Sequence, residues 1–181
     1  MTRDEALKLV GSYISNKNLV KHMLAVEVCM RKLAKYFNEK EEIWGLSGLL
    51  HDLDYESTKD NFSLHGINTA KILEEKGVDK EIIDAIKSHP GHSERVTLMA
   101  KALYAVDPLT GLIVASALMH PQKSLKALSV QFILNRFKEK HFAKGANRDQ
   151  IKSCSELGLT LEDFINICLS AMQEIDKELE L

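Results

Sequence analysis

Met23, Val26, Met30, Leu33 and Phe37 follow one another at gaps of three and four residues, the spacing that stacks side chains along one face of an α-helix. The pattern predicts a helix over 19–37. The next apolar run, 43–50, is hydrophobic on nearly every side, as suits a helix buried in the middle of a protein, and it leads directly into His51-Asp52. The stretch 53–62 is polar and aperiodic and is expected to be a loop. Ser63 can cap a helix to about residue 75, with Gly77 as its C-terminal glycine. Asp79 can cap another, carrying Ile82, Ile83 and Ile86 and ending at His89 before Pro90-Gly91.

Ser93 is expected to open a helix towards Val106, and Asp107-Pro108 fits an N-cap followed by proline at the first position of a buried helix over 109–119. One kinked helix running through Pro108 is the alternative. Ser124 heads a further helical segment to about residue 140. Thr160 stands three residues before Asp163, which resembles a capping box ahead of Ile165, Leu169, Met172, Ile175 and Leu179. No segment alternates in the manner of a strand and no repeat is visible, so the class is all-α. The glycine and asparagine in 141–147 mark a seam between a main unit, 1–140, and a helical extension, 141–181, expected to pack on the same core.

Charge narrows the partners. With 24 basic against 26 acidic residues the net charge is −2, too little for a global field that would hold a nucleic-acid polymer or an anionic membrane. A phosphorylated ligand must then be held by local charge. Cys29, Cys154 and Cys168 form no C-x-x-C pair and are odd in number, which points to free thiols rather than disulfides or a cysteine zinc site. No run approaches the ~20 apolar residues of a membrane span, and the acidic start is unlike a signal peptide. A cytoplasmic protein is expected; the oligomeric state is left open.

The chemistry concentrates on His51-Asp52. An ionisable doublet at the end of Trp44-Gly45-Leu46-Ser47-Gly48-Leu49-Leu50 is costly to bury unless it is partnered. Hydrogen bonds at a helix end would serve, and so would a divalent metal. The residues alone leave both open.

His22, then Leu49-Leu50-His51-Asp52, then Asp107, in that order and in a helical setting, resemble the H…HD…D signature of the HD superfamily of metal-dependent phosphohydrolases. The likeness runs from about residue 19 to 118. His65-Gly66-Ile67-Asn68-Thr69-Ala70-Lys71-Ile72-Leu73 and Ala85-Ile86-Lys87-Ser88-His89 resemble the additional histidine segments of the HDIG type. The resemblance implies an HD-domain helical bundle with metal ligands His22, His51, Asp52, His65, His89 and Asp107. They would hold one or two divalent ions drawn from manganese, iron, cobalt, nickel or zinc, with Asp52 between them. The implied activity is hydrolysis of a phosphomonoester or phosphodiester of a nucleotide-like small molecule by metal-activated water.

Asp52 is the central catalytic candidate, and Asp54 and Glu56 are placed to act as general acid or to orient water. His65, near a helix N-terminus, would be biased towards the neutral form. His92 is open between ligand, substrate contact and loop residue. Lys59, Arg95, Lys123, Arg148 and Lys152 are candidate phosphate contacts. One departure stands out: HDIG proteins read His-Asp-Ile-Gly-Lys where this chain has His51-Asp52-Leu53-Asp54-Tyr55. The competing reading is a non-catalytic helical signalling or interaction module with a structural metal.

Overall fold

Thr2 accepts a hydrogen bond from the Glu5 amide while the Glu5 carboxylate accepts from the Thr2 amide, and this reciprocal cap opens helix α1, Arg3–Tyr13. The computed structural model describes all 181 residues. Asn16 caps α2, Lys17–Tyr36, whose apolar stripe is buried as its spacing predicts. The buried run becomes α3, Glu41–Leu50, with His51 as its C-cap. A four-residue helix, α4, Tyr55–Thr58, interrupts the expected loop. There follow α5, Ile67–Glu75, α6, Lys80–Ser88, α7, Leu98–Met119, α8, Val130–Lys138, α9, Arg148–Lys152, α10, Leu161–Glu174, and α11, Asp176–Leu179. There is no strand, and the all-α class holds.

α2 is the spine. It lies against α3, α7 and α10, while α6 bridges α3 and α7. One apolar cluster runs through both halves of the chain, from Ala6 and Met23 to Phe164 and Met172. α3 approaches α2 so closely that a Cβ on Gly48 would lie 2.9 Å from the Glu27 backbone. Glu27 itself is buried, and its carboxylate is held by Arg3 at 2.6 and 3.0 Å and by Arg31 at 3.0 Å. That buried, multiply paired charge pins α1 to α2, and Arg31 carries the network on to α3 through Glu42, at 2.8 and 3.1 Å.

Three expected helix starts move. Ser124 caps only a short 3-10 turn, Leu125–Ala127, and α8 is opened instead by Ser129. Ser63 bonds Asn61 instead of capping, and α5 begins only after Gly66, which adopts a left-handed φ of 76°. A Cβ there would be 3.0 Å from Pro90 and 3.1 Å from the Ile86 carbonyl, so a glycine is required both by conformation and by the approach to the end of α6. α7 is capped by Thr97 rather than Ser93 and continues through Asp107-Pro108, so Asp107 lies inside the helix and is not its N-cap. Pro108 has no N–H to give the Tyr104 carbonyl. The side-chain amide of Gln150 donates to that carbonyl instead, at 2.9 Å. Burial of Leu103, Val106, Leu109 and Leu112 on either side of the proline keeps both halves in one core helix.

Joined in this way, α7 is long and apolar enough to cross a membrane by length and composition, which two shorter helices would not be. Most of it is buried in the bundle core. The segment 141–147 is gathered by Arg148, which donates to the carbonyls of Phe137, Phe142, Ala143 and Ala146. Arg148 is therefore a structural staple rather than a phosphate contact.

Gly48→Ala is expected to destabilise the protein by about 1–3 kcal/mol because the new methyl meets backbone. Gly11→Ala, in open space on exposed α1, is expected to stabilise by about 0.5–1 kcal/mol. Urea midpoints of the two variants check the contrast.

Candidate metal centre

His22 from α2, His51 and Asp52 from the end of α3, His65 from the turn before α5, His89 from the end of α6 and Asp107 from the middle of α7 converge on one point. All but His51, which is fully buried, line a cavity of about 940 Å³ open to solvent. Asp52 is the hub. Its Oδ1 lies 3.4 Å from His51 Nε2, 3.3 Å from His65 Nε2 and 3.6 Å from His89 Nε2, and its Oδ2 lies 3.7 Å from His22 Nε2. Asp107 Oδ1 is 3.1 Å from His22 Nε2 and 3.8 Å from His51 Nε2.

The other nitrogen of each ring is already engaged. His51 Nδ1 donates to the Gly48 carbonyl at 2.8 Å and His89 Nδ1 to that of Ile86, each using a carbonyl freed at a helix C-terminus. His65 Nδ1 donates to Asp54 Oδ1 at 2.8 Å. His22 Nδ1 is 3.1 Å from the Thr110 hydroxyl, whose proton goes to the Asp107 carbonyl at 2.9 Å, so the ring is the donor. With all four Nδ1 atoms protonated, the neutral rings present four Nε2 lone pairs to two carboxylates.

That donor set demands positive charge. His65 Nε2 and His89 Nε2 face each other at 3.1 Å, and buried His51 Nε2 has no hydrogen-bond partner. The residues fit a divalent metal of mixed nitrogen and oxygen preference. His22, His51 and Asp107 bring ligand atoms within 4.8 Å of one another, and so do His51, Asp52 and His89. Protons meet the same demand in the metal-free protein. Burial lowers the His51 pKa, but Asp52 and Asp107 outweigh it and raise the value to about 8. Burial likewise opposes charge on His65, yet its bonds to Asp52 and Asp54 raise it to about 9. The expected neutral bias of His65 is thus reversed: it precedes the helix, and two carboxylates dominate. Asp52 and Asp107, which burial alone would push up, are held well below the usual carboxylate range by these histidines.

Asp54 lies beneath the cavity, not in it. Its carboxylate accepts from His65 and, at 2.9 Å, from the Thr69 amide, while its own amide donates to Thr69 Oγ1 at 3.1 Å. That geometry orients His65 and leaves no free oxygen facing substrate space. Glu56 lines the rim, where it accepts from the Ser15 and Asn16 amides at 3.0 and 2.6 Å and so ties α4 to the start of α2. His92 is exposed and outside the cluster. Lys59 and Arg95 line the cavity, whereas Lys123 does not and Lys152 pairs with Asp149. Thr110 and Thr69, which fix His22 and Asp54, were not singled out by the sequence. Thr110 is one turn beyond Asp107, a relation visible only once α7 is known to be continuous.

The HD domain family model matches residues 19–120. Ribonuclease Y of Acholeplasma laidlawii is 31% identical over 112 residues, 59% of this chain and 21% of that protein. Ribonuclease Y of Aster yellows witches'-broom phytoplasma is 33% identical over 99 residues, 52% of this chain and 18% of that protein. The chain thus spans about a fifth of the length of these curated relatives. No solved structure is significantly similar to it.

Because the folded pKa values of His51 and His65 lie above the ordinary ~6.5, their stabilising contribution is present below that value and is lost as pH rises through about 8 to 9. The melting temperature of the metal-free protein is expected to fall between pH 6.5 and 9.5, and saturating manganese is expected to remove that fall. Calorimetry at pH 7 in buffers of different ionisation enthalpy should show proton release as manganese binds. A metal-free melting temperature that climbs across the window would contradict the assignment.

Proposed function

Since this chain belongs to the HD domain family, whose superfamily is that of the metal-dependent phosphohydrolases, we propose that it hydrolyses a phosphomonoester or phosphodiester of a nucleotide-like molecule. The observation that carries this reading is the convergence of four imidazole Nε2 atoms and two carboxylates on the floor of a cavity large enough for such a ligand. His22, His51, Asp52, His89 and Asp107 would hold the metal, with His65 completing the set beside Asp52. When bound, a divalent ion supplies a water of lowered pKa and a Lewis acid for a phosphoryl oxygen.

The protein's own part is to fix and charge-balance that site. The Gly48 and Ile86 carbonyls, Thr110 and Asp54 lock the four ring orientations, so the ligand geometry needs no rearrangement when substrate arrives. Asp52 lines the cavity floor yet is almost fully buried, which limits competition from bulk water for its oxygens. The Ribonuclease Y relatives favour an RNA phosphodiester among the possible substrates.

With manganese present, hydrolysis of bis(p-nitrophenyl) phosphate or p-nitrophenyl phosphate is expected. Asp52→Asn should lower kcat/KM on the order of a hundredfold or more, and Asp54→Asn, acting through His65, by about 10–100-fold together with weaker metal binding. Tight metal binding without turnover of any ester, and an Asp52→Asn effect limited to stability, would instead support a helical module with a structural metal.

A further inference from the structure

Two features of the cavity wall are not needed to hold a metal. Arg95, in the loop before α7, lays its guanidinium 3.8 Å from the centre of the Tyr104 ring. Stacking fixes the plane of the fork without occupying its N–H donors. Its Nε is buried and has no hydrogen-bond partner, and its one carboxylate neighbour, Glu156, stands at 3.7 Å, beyond hydrogen-bond reach. Tyr104 lies three residues before Asp107 on α7, so the stack sits about one helical turn from the metal cluster. Its carbonyl is anchored by Gln150, which makes the platform rigid.

The second feature is aromatic. Phe62 and Tyr55 are 56% and 41% exposed, yet both line the cavity and both pack on His65, at ring distances of 4.8 and 5.5 Å. Apolar rings left in water beside a largely polar site offer faces for another flat ring. The volume of about 940 Å³ far exceeds what a lone phosphate group requires.

We infer that the substrate is a nucleotide unit with a phosphate besides the one that reacts, its base stacked on Phe62 and its non-reacting phosphate held by Arg95 on the Tyr104 ring. This rests on the phosphohydrolase reading for the identity of the reacting group. Arg95 supplies charge-assisted, fork-shaped recognition of phosphate oxygens. Phe62 supplies a stacking face that any base can use.

The test compares three esters with the manganese-loaded full chain: bis(p-nitrophenyl) phosphate, the dinucleotide ApA, and pApA, which adds a 5′-phosphate. The wild type is expected to prefer pApA over ApA in kcat/KM by about tenfold or more, mainly through KM. Arg95→Ala should collapse that ratio to below about twofold, and Arg95→Lys, which keeps charge but not the fork, should restore it only in part. Phe62→Ala should lower kcat/KM for both dinucleotides relative to bis(p-nitrophenyl) phosphate by about 5-fold or more. Losses equal across all three esters, or no change in the pApA:ApA ratio, would overturn the assignment.

A 5′-phosphorylated decaadenylate separates the sources. Preference for it over pApA, or the reverse, supports the assignment either way and tells a chain end from a free dinucleotide. If the wild type hydrolyses none of these esters, the phosphohydrolase reading fails, and titration of pApA into wild type and Arg95→Ala decides the binding claim. A tenfold weaker affinity of the variant supports it; equal affinities overturn it.

Discussion

A carboxylate buried among four imidazoles is tolerable only if positive charge is shared among them, and that requirement shapes everything near Asp52. Asp52 contributes two oxygens to a cluster in which every ring has its Nδ1 proton tied to a fixed acceptor. The acceptors are distributed over the fold: helix-end carbonyls for His51 and His89, a hydroxyl on α7 for His22, and Asp54 for His65. Turning any of these rings would bury an unpaired N–H and point a proton at its neighbours. The packing of the bundle and the protonation pattern of the cluster are therefore one constraint viewed from two sides.

The same constraint explains why close helix contacts recur at the site's margins. His51 reaches the cluster because α3 is pressed onto α2 at Gly48, and His65 meets His89 because Gly66 slips against Pro90 and the end of α6. His22 and Asp107 meet because α7 passes α2 without breaking at Pro108. The carbonyl that proline leaves unpaired is recovered by Gln150, which draws α9 to the cavity wall. Through that bond the C-terminal helices help shape a site whose clustered imidazoles and carboxylates all lie before residue 108.

Much of this was legible in the sequence where local signals were strong. The stripe from Met23 to Phe37, the apolar run into His51 and the cap at Thr160 became the expected helices. The six clustered side chains were found through the resemblance to the HD and HDIG signatures, since the residues alone left a hydrogen-bonded pair and a metal site equally open at His51-Asp52. Less legible were features decided at a distance. Nothing local in Ser93 or Ser63 reveals that Thr97 and Gly66 would open the helices, since the second depends on the room beside Pro90. Asp107 looked like an N-cap because a proline followed it; only the burial on both sides of Pro108 and a donor 42 positions later, Gln150, make continuity the better structure. The rise in the His65 pKa depends on two carboxylates and was invisible to an argument from helix position alone.

Asp54 shows how a departure from a family pattern can be informative. At a position where glycine is usual in HDIG proteins, this chain places a buried carboxylate that bonds both the His65 ring and the Thr69 amide. A glycine could offer His65 only backbone. The carboxylate makes the ring a better base and couples the start of α5 to the cluster. In the next position Tyr55 replaces a flexible cation with an aromatic ring that leans on the outer edge of the same histidine. The pair thus moves positive charge away from this part of the rim and puts a rigid, partly apolar surface in its place. The fixed cations of the cavity wall are Lys59 and Arg95, the latter flattened against Tyr104. Neither belongs to the six clustered side chains, so the charge of the cavity wall and the make-up of its floor are set by separate residues.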